Sequence, residues 1–150
     1  MKIYKKICFI LILISILYID IISKIWITSH LLLYESKKIT SILNLYNIHN
    51  YGAIFGIFSN IKIWEYDIFK IFSFIIILIM LKITILSKKN ITLSYLLIIS
   101  GAISNLFNRI YYSFVIDFID IHIKNWHFAT FNIADISIFI GIILFLKYDL

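Results

Sequence analysis

Proline is absent from the 150 residues, cysteine occurs once and glycine four times. Without proline, no helix here is stopped by a ring that lacks an N–H, so breaks fall to glycine and polar residues. The single cysteine, Cys8, excludes an intramolecular disulfide, and a metal site would need other ligands. Cys8 follows Lys5, Lys6 and Ile7 and precedes an apolar run. A lipid-modified N-terminal cysteine would follow such a run, so packing is the simpler role and the chain does not read as a lipoprotein precursor. Charge is also scarce, at 15% of residues with only eight acids, whereas a soluble domain carries about a quarter.

Hydrophobic residues fill that space, at 62% of the chain and a mean hydropathy of +0.99. The bilayer is the expected solvent. At roughly 20 residues per crossing, four spans and their connections use nearly all of the chain, so residues 1–150 are expected to form one integral membrane domain. The apolar runs place the spans at about Ile7–Ile22, Ile68–Leu86, Ile91–Phe107 and Phe131–Leu146. Asp20 and Lys24 stand at the far end of the first. Lys2, Lys5 and Lys6 ahead of an apolar core resemble a signal peptide, but no small-x-small cleavage site follows, so an uncleaved first helix is expected.

The formal charge of +6 does not point to nucleic acid, because the basic residues are spread along the chain instead of forming an aromatic-interleaved stripe. Most read as membrane-flanking anchors. With four crossings, Lys2, Lys5, Lys6, Lys88, Lys89 and Lys147 share one side, expected to be cytoplasmic, with both termini there. The segment from Ile25 to Asp67 is too long for a tight connection. Its β-branched and aromatic content around Ile39–His49 suggests a short strand or two.

This topology brings the notable polar residues to the outer face. Gly101, Asn105 and Arg109 recur every four residues near the end of span three and share a helical face, with Asn108 at its border. Asn132 and Asp135 open span four, Asp117 lies in the connection between them, and Asn50 and Gly52 lie in the first loop. Polar groups at membrane depth are costly, so such a cluster is by default a functional site. Two carboxylates brought close cannot both ionise easily. A proton-sharing pair formed by Asp117 and Asp135 would let the ionised member take a proton from water while the other polarises a carbonyl.

Blander readings stay open on the residues alone. Asn132-x-x-Asp135 has helix-capping spacing, Asp117 and Asp120 have the look of solvated loop acids, Arg109 could snorkel or bind a lipid phosphate, and Asn50-Tyr51-Gly52 could be a turn. His30, His49, His122 and His127 show no metal-ligand spacing.

Together these segments resemble the lipoprotein signal peptidase (signal peptidase II) family. Asn50-Tyr51-Gly52-Ala53-Ile54-Phe55 is similar to its Asn-x-Gly-Ala-x-Phe motif. Residues Gly101 to Arg109 are similar to its glycine-rich Asn-x-x-Asp-Arg motif, Val115-Ile116-Asp117-Phe118 to Val-Val-Asp-Phe, and Phe131-Asn132-Ile133-Ala134-Asp135 to Phe-Asn-x-Ala-Asp. Asp20 and Lys24 resemble a further Asp-x-x-x-Lys element.

The resemblance implies four transmembrane helices with a small extracytoplasmic β-sheet cradle in the bacterial inner membrane. It implies an aspartic endopeptidase that needs no cofactor and cuts prolipoproteins before a diacylglyceryl-modified cysteine, with Asp117 and Asp135 catalytic. Asn50, Gly52, Gly101, Asn105, Arg109 and Asn132 would shape the pocket or hold substrate, and Asp20, Lys24 and Asn108 would be structural or accessory. Lipidated prolipoproteins, membrane lipids and a globomycin-type inhibitor are the implied partners. Two positions depart from the pattern. Asn108 stands where the family has an aspartate, removing a charge that could orient Arg109, and Ala129 stands where proline is common, which would loosen that loop.

Two other classes share the composition. A small ion or proton transporter would use the same acids for flux, but no repeat or mid-span acid is apparent. A non-catalytic assembly subunit would tolerate loss of both aspartates. A serine or cysteine protease is disfavoured, since Cys8 lies near the cytoplasmic end and no Ser-His pair has a supporting motif.

Overall fold

A computed structural model describes residues 3–52, 63–86 and 93–148. Lys2, Ala53, Ile54, Phe55, Lys88, Lys89 and Ile91, which figure in the motifs, anchors and span limits above, lie outside the described residues. Four helices follow the four apolar runs: α1 (Ile3–His30), α2 (Ile63–Leu86), α3 (Leu93–Tyr112) and α4 (Ile133–Tyr148). At 1.5 Å per residue they measure about 42, 36, 30 and 24 Å. Among the described residues, Ile7–His30 and Leu93–Tyr112 are long and apolar enough to cross a membrane.

Side-chain placement reverses that of a water-soluble protein. Isoleucine, leucine and phenylalanine side chains along α1, α2 and α4 face outward, while Asp20, Lys24, Ser100, Ser104, Asn105 and Asn132 are buried. Lipid is as apolar as leucine, so burying leucine between helices gains little there and polar or small residues make the contacts instead. The α3–α4 seam shows this. A Cβ on Gly101 would overlap the Ala134 carbonyl, one on Gly141 would come within 2.9 Å of the Ser94 carbonyl, and Ser137 Oγ donates to the Leu97 carbonyl at 2.8 Å.

The first helix outlasts its predicted end at Ile22 by eight residues. Asp20 and Lys24 do not mark a headgroup boundary; both are inside the bundle, 0% and 1% exposed, paired at 2.7 Å one turn apart. With the charges neutralised internally, α1 continues to His30. Just past its end, Asn47 Nδ2 donates to the Leu31 carbonyl at 2.9 Å.

The four-stranded antiparallel sheet is larger than the strand or two expected, in the order β1 (Ser36–Lys38), β2 (Leu43–Asn50), β3 (Val115–Ile123), β4 (Trp126–His127). The second strand falls in the segment Ile39–His49 where β structure was expected, and the first lies just before it. The third replaces the loop expected around Asp117. It pairs with β2 along Leu43↔Ile121 to Asn50↔Val115, with an irregularity between Leu45 and Ile48. Ile27 of α1 and Leu31 just past its end pack on Phe118 of β3, which seats the sheet on the end of α1.

Candidate active site

The β2–β3 register brings Asn50 to Asp117. Asn50 pairs with Val115, so Asp117, two residues on, points to the same face on the diagonal. Asn50 Nδ2 donates to Asp117 Oδ2 at 2.8 Å. The sense of that amide is fixed, because Asn50 Oδ1 accepts the Gly52 N–H at 2.9 Å. Gly52 has φ +101°, and a Cβ there would lie 2.6 Å from the Phe69 ring. The turn reading of Asn50-Tyr51-Gly52 is therefore correct, and the turn serves to aim Asn50.

The capping reading of Asn132 and Asp135 is also correct. Asn132 Oδ1 accepts the Asp135 N–H at 2.9 Å and Asp135 Oδ2 accepts the Asn132 N–H at 3.2 Å, a reciprocal box at the start of α4. Asn132 has one group left over. Its Nδ2 donates to Asp117 Oδ1 at 2.6 Å, so the residue that caps α4 joins Asp135 to Asp117.

Asn105 of α3 completes the ring. Its Nδ2 donates to Asp135 Oδ1 at 2.8 Å, and its Oδ1 accepts from Asn132 Nδ2 at 3.2 Å and from Lys24 Nζ at 3.1 Å. Lys24 is held by Asp20, whose Oδ2 also accepts the Ser104 hydroxyl at 2.6 Å and whose Oδ1 accepts the Ala134 N–H at 2.9 Å. That N–H is an orphan donor in the first turn of α4, so Asp20 caps one helix from another.

Asp117 is 2% exposed, and this burial, reinforced by the nearby Asp135 charge, raises its pKa from 3.8 to about 7 against the opposing hydrogen bonds of Asn50 and Asn132 and the Lys24 charge. Desolvation outweighs donors that would favour the anion. Two carboxylates linked through one asparagine, one of them titrating near neutrality, can hold a single proton between them, the arrangement general acid–base hydrolysis requires. A cleft of about 540 Å³ reaches Asp135 past Asn50, Gly52, Asn105 and Arg109, with Phe72 and Ile76 of α2 among its apolar lining. A second groove, apolar and lined by Trp126, Phe128 and Phe139, also reaches Asp135.

Not every residue singled out from the sequence joins this site in the manner expected. Gly101 is buried where α3 crosses α4 and acts through helix packing, outside the residues lining the cleft. Asn108 faces β3, its Oδ1 accepting the Ile116 N–H at 3.3 Å, so it anchors the strand beside Asp117. Arg109 borders the cleft and interacts electrostatically with Asp135 and Asp117. Asp117 and Asp120 are both buried, not solvated. Asp120 bonds to Asn44 at 2.8 Å and His127 at 2.9 Å as a fastening within the sheet. Ala129 sits between two backbone ties, Phe128 N–H to the Ile121 carbonyl and Phe131 N–H to the Ile119 carbonyl, which restrain the loop without proline.

Sequence reasoning missed Ser104 and the α2 wall of Phe69, Phe72, Ser73 and Ile76. Ser104 had a signal, since Gly101, Ser104, Asn105 and Asn108 follow helical i, i+3, i+4, i+7 spacing. The α2 residues had none, as a lipid-facing phenylalanine and a cleft-facing one look alike in sequence.

Outward apolar helices around a buried polar core, with two acids beneath a small sheet, define a helical membrane protein whose site is suited to hydrolysis. A family model described as Signal peptidase (SPase) II matches residues 12–149, and the chain belongs to this family. Lipoprotein signal peptidase of Buchnera aphidicola subsp. Schizaphis graminum is 56% identical over 135 residues, covering 88% of this chain and 86% of that protein. Lipoprotein signal peptidase of Yersinia enterocolitica is 36% identical over 129 residues, covering 84% and 76%. Two solved bacterial membrane enzymes superpose with TM-scores of 0.80 and 0.82, each at 30% identity, covering 93% and 95% of this chain and 85% and 92% of theirs.

Proposed function

We propose that this chain removes signal peptides from prolipoproteins by aspartic-type hydrolysis before the diacylglyceryl-modified cysteine, with Asp117 and Asp135 as the catalytic pair. The observation that carries this is the single asparagine, Asn132, that hydrogen-bonds both carboxylates. Family membership decides for the peptidase over the transporter and the assembly subunit.

In this reading water lies between the acids. The ionised member takes a proton from the water, the protonated member donates to the scissile carbonyl oxygen, and collapse of the tetrahedral intermediate returns a proton to the leaving amine. No covalent intermediate forms. Asn105 and Asn132 keep Asp135 in place, Asn50 keeps Asp117, and Arg109 offers donors to substrate at the cleft. Four crossings of the bacterial inner membrane, with both termini cytoplasmic, put the sheet and the pair at the periplasmic surface. Substrate then enters from the lipid through the apolar grooves, where a globomycin-type peptide would compete with it.

The test is cleavage of a lipidated prolipoprotein by the purified protein in lipid or detergent, compared with Asp117→Asn and Asp135→Asn. Loss of activity in both variants, each retaining its unfolding temperature, is expected. Ordinary cleavage by either variant refutes the pairing.

A further inference from the structure

Lys24 is a lysine with 1% of its surface exposed, far along the chain from either acid of the pair, and among the described residues its charge is matched at contact distance by Asp20. Burying such a pair seldom gains stability over apolar residues of the same size, so its retention at the centre of the bundle calls for another consequence. The hydrogen bonds supply one. Lys24 Nζ is a pure donor, and it reaches Asn105 Oδ1 at 3.1 Å. Asn132 Nδ2, also a donor, reaches the same oxygen at 3.2 Å. Turning the Asn105 amide over would set its NH2 group against both donors and its oxygen against the carboxylate of Asp135.

We propose that Lys24 is a positioning residue for peptide hydrolysis, fixing the sense of the Asn105 amide so that its N–H faces Asp135 and Asp135 is the member of the pair kept ionised. The assignment rests on the aspartic reading above and adds to it which acid holds the proton. Asp135 lies in the first turn of α4, where the helix dipole favours an anion, and receives N–H groups from Asn105 and from the Asn132 backbone. Asp117 lies on a strand without that dipole. The charged groups interacting with the pair are Asp20 and Lys24 from α1 and Arg109 from α3. Asp20 sets the position of Lys24, and through the Ala134 N–H it also fixes the start of α4, so the carboxylate and its orienting amide are registered to one another by the same acid.

The experiment uses Asp20→Asn with Lys24→Met in the full chain, which removes both charges together and leaves no unpaired buried ion. Cleavage of a lipidated prolipoprotein is followed from pH 5 to 9, with the thermal unfolding midpoint measured in the same detergent. Expected is a folded protein in which kcat falls about tenfold or more while KM stays within about threefold, since an interaction acting on the chemical step is lost. The acid limb of kcat should also move up by at least about half a pH unit, because a cation and a well-aimed donor no longer favour the carboxylate.

Unchanged kcat and an unmoved limb in the folded double variant overturn the proposal. If that variant does not fold, Lys24→Gln is read in the same way, and failure of both to fold makes the pair a structural staple and also overturns it. Activity in Asp117→Asn or Asp135→Asn would instead mark failure of the aspartic reading, so the two outcomes are distinct.

Discussion

Asn132 Nδ2 lies 2.6 Å from Asp117 Oδ1, on the very residue whose backbone and carbonyl oxygen cap α4 with Asp135. The capping of a helix and the assembly of the acid pair are therefore one structure. A strand that arrives from α3 and a helix that begins ten residues after the strand ends are locked by one residue, whose backbone N–H, side-chain oxygen and side-chain NH2 group are all in use.

Substitutions at this residue separate the two roles. Asn132→Ser keeps an N-cap oxygen but withdraws the donor from buried Asp117 and Asn105, so it should cost about 1–3 kcal/mol, and Asn132→Ala, which also loses the cap, about 1 kcal/mol more. Both should lose about 100-fold or more in kcat, of the order expected when a general acid–base pair is disordered. Chemical denaturation in micelles, alongside the cleavage assay, checks both.

The pH dependence follows from Asp117, raised to about 7 by burial and then by Asp135. Because its folded pKa lies above the unfolded value, the folded state binds more protons between about pH 4 and 7, and stability should fall as pH rises through that window and level off above it. Catalysis that needs a proton on Asp117 should decline above about pH 7 along the same titration. Asp117→Asn should flatten the stability profile across the window, which a set of thermal melts would reveal.

Asn50 donates to Asp117 and so favours its ionised form. Asn50→Ala should move the alkaline limb of kcat to higher pH and lower kcat about tenfold as the carboxyl loses its restraint. A limb that moves down, or not at all, would show that Asn50 does not act on Asp117.

Gly101→Ala places a methyl group against the Ala134 carbonyl, one residue before Asp135. Overpacking of this kind costs about 1–3 kcal/mol, and displacing α4 should reduce activity further than the stability loss alone explains. Comparing kcat at a temperature where both forms are fully folded makes the distinction.

Much of this site was legible in the sequence, because polar residues in an apolar chain stand out and their order along four apolar runs suggested a common side. The four helices were found for the same reason. What was not legible came from tertiary compensation. Asp20 and Lys24 read as a boundary since a charge in lipid normally ends a span, and only their pairing inside the bundle lets α1 run on to His30. Asp117 read as a loop acid because Val115–Ile123 alternates imperfectly, with acids at 117 and 120 facing opposite sides of the strand. The buried contacts of Asn108 with β3 and of Gly101 with α4 depend on which helix faces which, and periodicity does not carry that information.

Asp20 Oδ1 receives the N–H of Ala134 across 114 positions of chain. In chain order α1 is synthesised before α4, so the carboxylate that receives Ala134 is made well before the N–H that it accepts. Until α4 docks, Asp135 and Asn132 are missing from beside Asp117, so on the proposed mechanism a molecule without α4 in place cannot cut a peptide bond.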